Sequence, residues 1–216
     1  MLQLDPRAKL LAASFSAVAG FVDVVGFLMT GGFFVSFMSG NSTRLGIGLV
    51  GGNWTAVVAG GLILSFVIGV VVGASVGRLA RASKEPAILG LVTGLLALSL
   101  VMHWLDLGVL AAVPLALAMG AQNTVFAENG EVRVGLTYMT GTLVKLGKRI
   151  TVALWGGERF GWVPFLLLWL GLLAGAVLGA AGFALFGANA LIAAVGAMLV
   201  LTVVSVAGPR GRSERV

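Results

Sequence analysis

The chain has 216 residues, of which 59% are hydrophobic and only 10% are charged, and its mean hydropathy is +1.07. So few polar residues cannot coat a soluble domain of this length, and the sequence therefore predicts an integral membrane protein. The net charge of +6 does not indicate a nucleic-acid partner, because the basic residues lie mostly in short loops and at the termini. The absence of cysteine excludes disulfides, thiolate metal sites and cysteine nucleophiles.

Apolar stretches of about 20 residues recur along nearly the whole chain, which predicts an all-α fold of membrane helices. The first four stretches are residues 9–29, 33–50, 54–79 and 86–104. Paired glycines separate the first three, because two adjacent glycines interrupt a helix. A charged loop precedes the fourth. From Asp106 the series begins again, with stretches at residues 107–126, 134–155, 162–186 and 188–206.

The two series resemble one another in detail. A polar island at residues 37–46 returns at residues 138–147, with Met, Gly, Leu and Gly identical. Further matches follow in the same order, at offsets between 100 and 103 positions: Gly20 and Asp23 with Gly120 and Asn123, the glycine ladder Gly69, Gly73, Gly77 with Gly171, Gly175, Gly179, and residues 87–89 with 190–192. The sequence thus predicts one membrane domain built by internal duplication, with repeat one at residues 1–105 and repeat two at 106–216.

The loop charges predict how the repeats cross the membrane. If all eight stretches crossed it, the basic clusters would fall on both sides. If the second stretch of each repeat enters and leaves on the same side, every cluster lies in the cytoplasm: Arg7 and Lys9; Arg78, Arg81 and Lys84; Lys148, Arg149 and Arg159; Arg210, Arg212 and Arg215. We therefore predict six spanning helices in a 3+3 inverted repeat, each repeat with an additional re-entrant or broken helix, and both termini cytoplasmic. By analogy, this architecture is typical of secondary transporters.

Asp23 is the one carboxylate well inside an apolar stretch. It could carry a coupling proton or cation, since intramembrane ionisable residues mostly face cavities, or it could form a structural pair with Arg44. Its counterpart Asn123 cannot titrate, so any coupling would differ between the repeats.

The two islands carry the predicted substrate site. Arg44 and Lys145 occupy equivalent positions, and with two glycine-broken helix starts they would favour a small anionic or zwitterionic solute. Lys145 could instead belong to a cytoplasmic basic face. Hydrogen-bonding side chains could orient a ligand or simply join helices. The predicted substrate-binding residues are Ser39, Gly40, Asn41, Thr43, Arg44, Gln122, Asn123, Tyr138, Thr140, Gly141, Thr142 and Lys145.

An enzyme is not predicted. Intramembrane proteolysis needs two membrane aspartates or a serine with a histidine base; only Asp23 is deep, and we expect the single His103 at the opposite end of a different helix from any candidate serine. Carboxylate clusters for a metal are also absent, so we expect neither a metal nor a cofactor. The expected partners are a small-molecule solute and the lipid bilayer, and the glycine ladders offer faces for a homodimer.

The stretches AGFVDVVGF at residues 19–27, GGFFVSFMSGNSTRLG at 31–46 and AMGAQN at 118–123 resemble the YoaK family of bacterial inner-membrane proteins, a domain-of-unknown-function family. The resemblance implies a six-span protein of the bacterial inner membrane and carries no substrate with it. The leading hypothesis is a small secondary transporter for a small polar or anionic solute, proton-coupled through Asp23. The alternatives are an uncoupled channel for a small solute or ion and a membrane scaffold or accessory protein that transports nothing.

Overall fold

The structure is a computed structural model that describes residues 6–128, 131–132 and 135–207. Eight α-helices make up most of this part of the chain: α1 (Pro6–Met29), α2 (Met38–Gly51), α3 (Trp54–Ala80), α4 (Lys84–Trp104), α5 (Ala112–Gln122), α6 (Met139–Leu154), α7 (Val163–Phe186) and α8 (Leu191–Ala207). Short 3-10 helices lie at Arg81–Ser83, Gly108–Ala111 and Gly187–Ala190. Between α5 and α6, the strands Ala127–Glu128 and Glu131–Val132 pair in an antiparallel hairpin. The prediction of a helical fold is confirmed.

Membrane-spanning helices are also confirmed as a class. Four helical stretches of the described residues are long and apolar enough to cross a bilayer: Lys9–Met29, Trp54–Ala80, Lys84–Trp104 and Val163–Val206. The last stretch contains both α7 and α8, which the 3-10 helix Gly187–Ala190 separates. The apolar stretch Gly108–Gln122 is shorter. The sequence placed α3 and α7 within one residue of their observed ends because charged or glycine-containing loops bound the apolar runs.

Glycines bring two helix pairs into close contact. A methyl group on Gly175 would overlap the carbonyl oxygen of Ala17, and one on Gly20 would overlap that of Leu172, so α1 and α7 touch along their backbones. The ladder glycines Gly69 and Gly73 meet α5 in the same way. Small residues allow this approach in membrane helices, where packing has to replace the hydrophobic effect. The ladders suggested as dimer faces thus contact helices of their own chain.

The packing also fixes which glycines are equivalent. Gly69 meets the carbonyl of Leu117 in α5, and Gly175 meets that of Ala17 in α1. Because Leu117 and Ala17 are 100 positions apart, Gly69 corresponds to Gly175 rather than to Gly171. The predicted offset of 102 between the ladders is therefore wrong by one helical turn. A ladder that repeats every four residues matches itself after a shift of one turn, so sequence could not choose the register.

Helices α1 and α5 run antiparallel. Gly26, near the end of α1, lies beside Leu115, near the start of α5. Phe15, in the first half of α1, accepts a hydrogen bond through its carbonyl oxygen from Gln122, the last residue of α5, at 2.8 Å. The apolar core lies along this pair and its neighbours α3 and α4. The polar islands at residues 37–46 and 138–147 both begin next to this apolar core.

Candidate functional site

Two short non-helical segments lead into α2 and α6. We call residues 33–37 the first arm and residues 135–138 the second arm. The first arm begins after Gly31 and Gly32, whose φ angles of 68° and 121° lie in the region that favours glycine. These two residues turn the chain back along α1. The arm therefore returns toward Asp23 in α1, and α2 begins directly after it.

Asp23 holds the first arm. Its Oδ1 accepts hydrogen bonds from the backbone amides of Val35 at 2.9 Å and Ser36 at 2.7 Å. No ion pair joins Asp23 to Arg44, although the structure describes both residues, so the structural pair suggested by the sequence is not observed. A carboxylate that accepts two amides satisfies backbone donors that would otherwise be buried without partners.

Asn123 holds the second arm in the equivalent place. Its Nδ2 donates to the hydroxyl oxygen of Thr137 at 3.0 Å and to the carbonyl oxygen of Met119 at 2.9 Å. Ser36 and Thr137 are equivalent residues of the two arms, 101 positions apart. The first arm is therefore fixed by a carboxylate inside α1, and the second by an amide on the residue that directly follows α5.

A second clamp closes the first arm on α2. The Asn41 side chain donates to the carbonyl oxygen of Phe34 at 2.6 Å and accepts from the amide of Phe34 at 3.0 Å. Asn41 is fully buried. Gly40 lies against the rings of Phe34 and Phe37, where a methyl group would overlap both. Asn41 and Gly40 therefore fix the conformation of the first arm, and protein atoms occupy the space next to both residues.

A cavity of about 290 Å³ lies where α2 and α6 begin. Its wall consists of the start of α2 with its arm, the start of α6 with its arm, and one side chain of α3; the residues are Ser36, Phe37, Met38, Ser39, Thr137, Tyr138, Met139, Thr140, Gly141 and Phe66. Four pairs among them are equivalent at an offset of 101. The cavity is thus built from matching pieces of the two predicted repeats.

The electrostatics of the cavity come from backbone and hydroxyl groups. Neither α2 nor α6 has a side-chain N-cap hydrogen bond. The first-turn amides of a helix lack partners within it, and they give its N-terminus a partial positive charge. Here the amides of Met38, Ser39, Thr140 and Gly141 belong to wall residues, while the amide of Met139 donates to the carbonyl oxygen of Thr137 at 2.9 Å. No charged side chain is on the described wall, and Ser36, Ser39, Thr137 and Thr140 add hydroxyls.

The predicted substrate-binding residues divide into two groups. Ser39, Tyr138, Thr140 and Gly141 lie on the cavity wall. The others lie off it. The side chains of Asn41, Thr43 and Asn123 hydrogen-bond to protein groups, and Gln122 does so through its Nε2, while its buried Oε1 has no hydrogen-bond partner among the described residues. The Thr43 hydroxyl donates to the carbonyl oxygen of Ser39 at 3.3 Å in its own helix. The off-wall residues are Gly40, Asn41, Thr43, Arg44, Gln122, Asn123, Thr142 and Lys145.

The two predicted cations do not meet at the cavity. The Arg44 guanidinium lies 5.2 Å from the ring centre of Phe33 and 5.8 Å from that of Phe27, beside the Gly32 turn. Lys145 is exposed on α6. Both lie beyond the first turn of their helix, so neither side chain reaches the wall. The structure therefore does not bring the two cations together on the wall of this cavity, and an opposed-cation site stays a prediction.

Sequence reasoning missed six wall residues: Ser36, Phe37, Met38, Phe66, Thr137 and Met139. Five of them could have been predicted, because they lie at the start of a duplicated island or directly before it. At an offset of 101, Ser36 pairs with Thr137, Met38 with Met139, and Phe37 with the predicted residue Tyr138. Phe66 gave no signal, since it stands in the uninterrupted apolar run of α3.

Apolar helices long enough to cross a bilayer, with polar helix starts between them, define this chain as a polytopic helical membrane protein. It belongs to the family described as "Protein of unknown function (DUF1275)", whose model matches residues 11–204. It is also similar to the UPF0700 transmembrane protein RA0705 of Rhizobium meliloti (strain 1021), with 37% identity over 170 residues that cover 79% of this chain and 73% of that protein. No solved structure matches it. The description of this relative as a transmembrane protein agrees with the predicted membrane class. The narrower YoaK relationship stays a prediction.

Proposed function

We propose that this protein is a small secondary transporter of the bacterial inner membrane that moves a small polar or anionic solute through the cavity between α2 and α6. The observation that carries the proposal is the meeting of two uncapped helix N-termini at one cavity without a charged side chain on its described wall. Amides at helix N-termini favour anionic groups. Discontinuous helices that meet inside the membrane form the substrate sites of many transporters.

The antiparallel arrangement of α1 and α5 supports an inverted repeat. These helices are equivalent in the duplicated sequence, so repeats of the same orientation would make them parallel. The contacts of Gly26 with Leu115 and of Phe15 with Gln122 run the opposite way. Equivalent glycine contacts in α1 with α7 and in α5 with α3 support the duplication itself.

Six crossings follow if α7 and α8 cross separately and Gly108–Gln122 also crosses. Splitting Val163–Val206 at its 3-10 helix gives two spans, and the short apolar stretch adds one to the other three. Helices α2 and α6 are then re-entrant. The positive-inside rule puts the α3–α4 turn, with Arg78, Arg81 and Lys84, in the cytoplasm with both termini. The C-terminal basic cluster Arg210, Arg212 and Arg215 lies outside the described residues.

Reporter fusions test this topology without a substrate. A reporter fused after Gly52, at the end of α2, should be periplasmic, and one fused at Glu158, after α6, should be cytoplasmic. Both helices would then return to the side from which they entered. A cytoplasmic reporter at Gly52 would contradict the inverted repeat.

The solute class follows from the size and chemistry of the cavity. A volume of about 290 Å³ is at the lower end of ligand pockets, which commonly span about 300 to 1,000 Å³. Hydroxyls and first-turn amides can bind a carboxylate or a small anion, and the aromatic and methionine side chains can cover an apolar part. Lactate, glycine and chloride are suitable probes of this class. As part of the proposal, the protein catalyses no reaction and needs no cofactor.

Uptake into proteoliposomes tests transport. Labelled lactate, glycine and chloride are offered with and without a pH gradient, and accumulation driven by the gradient would support a coupled transporter. Passive equilibration would support the alternative of an uncoupled channel. No uptake of any probe would favour a scaffold or accessory role.

A matched pair of variants links the uptake to the cavity. Ser39→Ala removes a hydroxyl from the wall, whereas Ser42→Ala removes one that donates to the carbonyl oxygen of Met38 inside α2 at 2.9 Å. We expect only Ser39→Ala to raise the KM for uptake. Equal effects of both changes would argue against solute contact at Ser39.

A further inference from the structure

The first arm is held by a group that can gain a proton. Both of its hydrogen bonds to Asp23 end on the same carboxylate oxygen, and they come from consecutive amides, Val35 and Ser36. Bonds to an ionised acceptor are roughly twice as strong as those between neutral groups. Protonation of the carboxyl removes that charge and weakens both bonds together. The freed amides then need another acceptor, which water can provide.

The second arm has no such switch. Asn123 bonds to Thr137 through an amide that does not titrate, and its other bond goes to the carbonyl oxygen of Met119 within α5. Both arms lead directly into the cavity wall, at Ser36 and Thr137. Protonation of Asp23 would therefore loosen only the first arm, on the α2 side of the cavity, and leave the second arm unchanged.

Few other charges can affect Asp23. The helices packed against α1 are α5, α7 and α8, and none of them contains an ionisable residue in its described range. On α1 itself the other ionisable side chains, Arg7 and Lys9, are near the opposite end of the helix. The first arm carries none, and Arg44 in α2 lies over the rings of Phe27 and Phe33.

We infer that Asp23 is a proton-operated latch on the first arm alone: the ionised carboxylate keeps residues 33–37 against α1, and its protonation lets this arm move and opens the cavity on the side of α2. The second arm stays fixed at either protonation state because Asn123 holds it. This inference rests on the proposed function, since it describes how the same cavity is regulated. The proton binds to the Asp23 carboxyl and leaves from it, and no other group is consumed.

The experiment uses the absence of native cysteine in the chain. A nitroxide spin label is attached at Ser39→Cys or, as the matched control, at Thr140→Cys, which are equivalent wall residues of α2 and α6. The full-length protein is reconstituted in liposomes without solute, and spectra are recorded at about pH 8, where an ordinary aspartate is ionised, and at about pH 4, near the ordinary aspartate pKa of about 3.9, where a large fraction is protonated. Labels are attached before the pH change, so thiol reactivity does not enter.

We expect the label at Ser39 to become several-fold more mobile at the lower pH, while the label at Thr140 keeps its spectrum. In Asp23→Asn the Ser39 label should show the same spectrum at both pH values. Asp23→Ala should leave it mobile at both. An unchanged Ser39 label in the unmodified background, an equal response of both labels, or a pH response that persists in Asp23→Asn would each overturn the latch.

The outcome is separable from that of the transport assay. Arm movement without uptake of any probe would reject the proposed function and keep the pH-dependent latch as a property of the fold. Uptake without arm movement would reject only the latch.

Discussion

Asn41 and Phe34 form a two-point contact in which one side-chain amide serves both the N–H and the C=O of a single backbone residue, at 3.0 and 2.6 Å. This contact joins the non-helical first arm to the helix that follows it. It explains why a polar residue stands in a fully buried position of an apolar chain: the arm has no sheet or helix partner for its backbone groups, and buried backbone groups need a hydrogen-bond partner.

Asn41→Ala should therefore destabilise the protein. The change removes two hydrogen bonds and leaves the amide and carbonyl of Phe34 buried without partners, which costs about 3 kcal/mol in total. Thermal unfolding in detergent micelles measures the loss. The control Ser42→Ala, one residue later and exposed, should stay within about 0.5 kcal/mol of the unmodified protein. Equal stability of the two variants would contradict the clamp.

Gly175→Ala tests the backbone contact between α1 and α7. The added methyl group would overlap the carbonyl oxygen of Ala17, so the helices must separate, and overpacking of this kind costs about 1 to 3 kcal/mol. Gly196→Ala in α8 is the matched control, because nothing lies within 4 Å of a methyl group there. We expect it to be neutral or slightly stabilising, since alanine favours helices over glycine. A thermal shift of the same size and sign in both variants would disprove the close contact.

Asn123→Asp tests the role of the amide on the second arm. A carboxylate there would face the carbonyl oxygen of Met119 without a proton to donate, so the variant should be less stable than the parent at neutral pH. Protonation restores a donor, and the difference should shrink as the pH falls to about 4. Thermal unfolding across this pH range measures the effect.

Asn189→Asp provides its control. The Asn189 oxygen accepts from the Trp104 indole N–H at 2.9 Å, and a carboxylate oxygen can accept the same bond. This variant should show no comparable recovery at acid pH. If both variants recovered equally, the effect would come from the added charge and not from the lost donor.

Arg44→Ala and Lys145→Ala should leave the KM for uptake unchanged, because neither side chain is on the cavity wall. Arg44→Ala should still lower stability, by about 1 kcal/mol, since it removes the cation from the faces of Phe27 and Phe33. A strong rise in KM for either variant would restore the opposed-cation site that the sequence predicted.

The bounds of α3 and α7 could be predicted from sequence, whereas α2, α5 and α6 each begin five residues later than predicted. Of the cavity wall, only Ser39, Tyr138, Thr140 and Gly141 were among the predicted site residues. Helix ends could be predicted where the composition changes sharply, as at Trp54 and Phe186. The duplicated islands located the cavity, since both copies begin it. The roles of Asn41 and Arg44 could not be predicted from sequence. A buried amide can bind backbone groups as readily as a ligand, and a cation can lie over aromatic rings as readily as bind a ligand. Only the three-dimensional path of the arms shows which of these partners is present.

Gly141→Leu is the change that tests the proposed solute path most directly. Gly141 lies on the cavity wall with nothing within 4 Å of an added methyl group, so a leucine fits the helix and fills the cavity. Gly147→Leu, equally open but off the wall on the same helix, is its control. Uptake of labelled lactate, glycine and chloride by these two variants and the unmodified protein is the decisive measurement. We predict that Gly141→Leu abolishes uptake of the transported probe while Gly147→Leu retains it; full uptake by Gly141→Leu would contradict a path through this cavity.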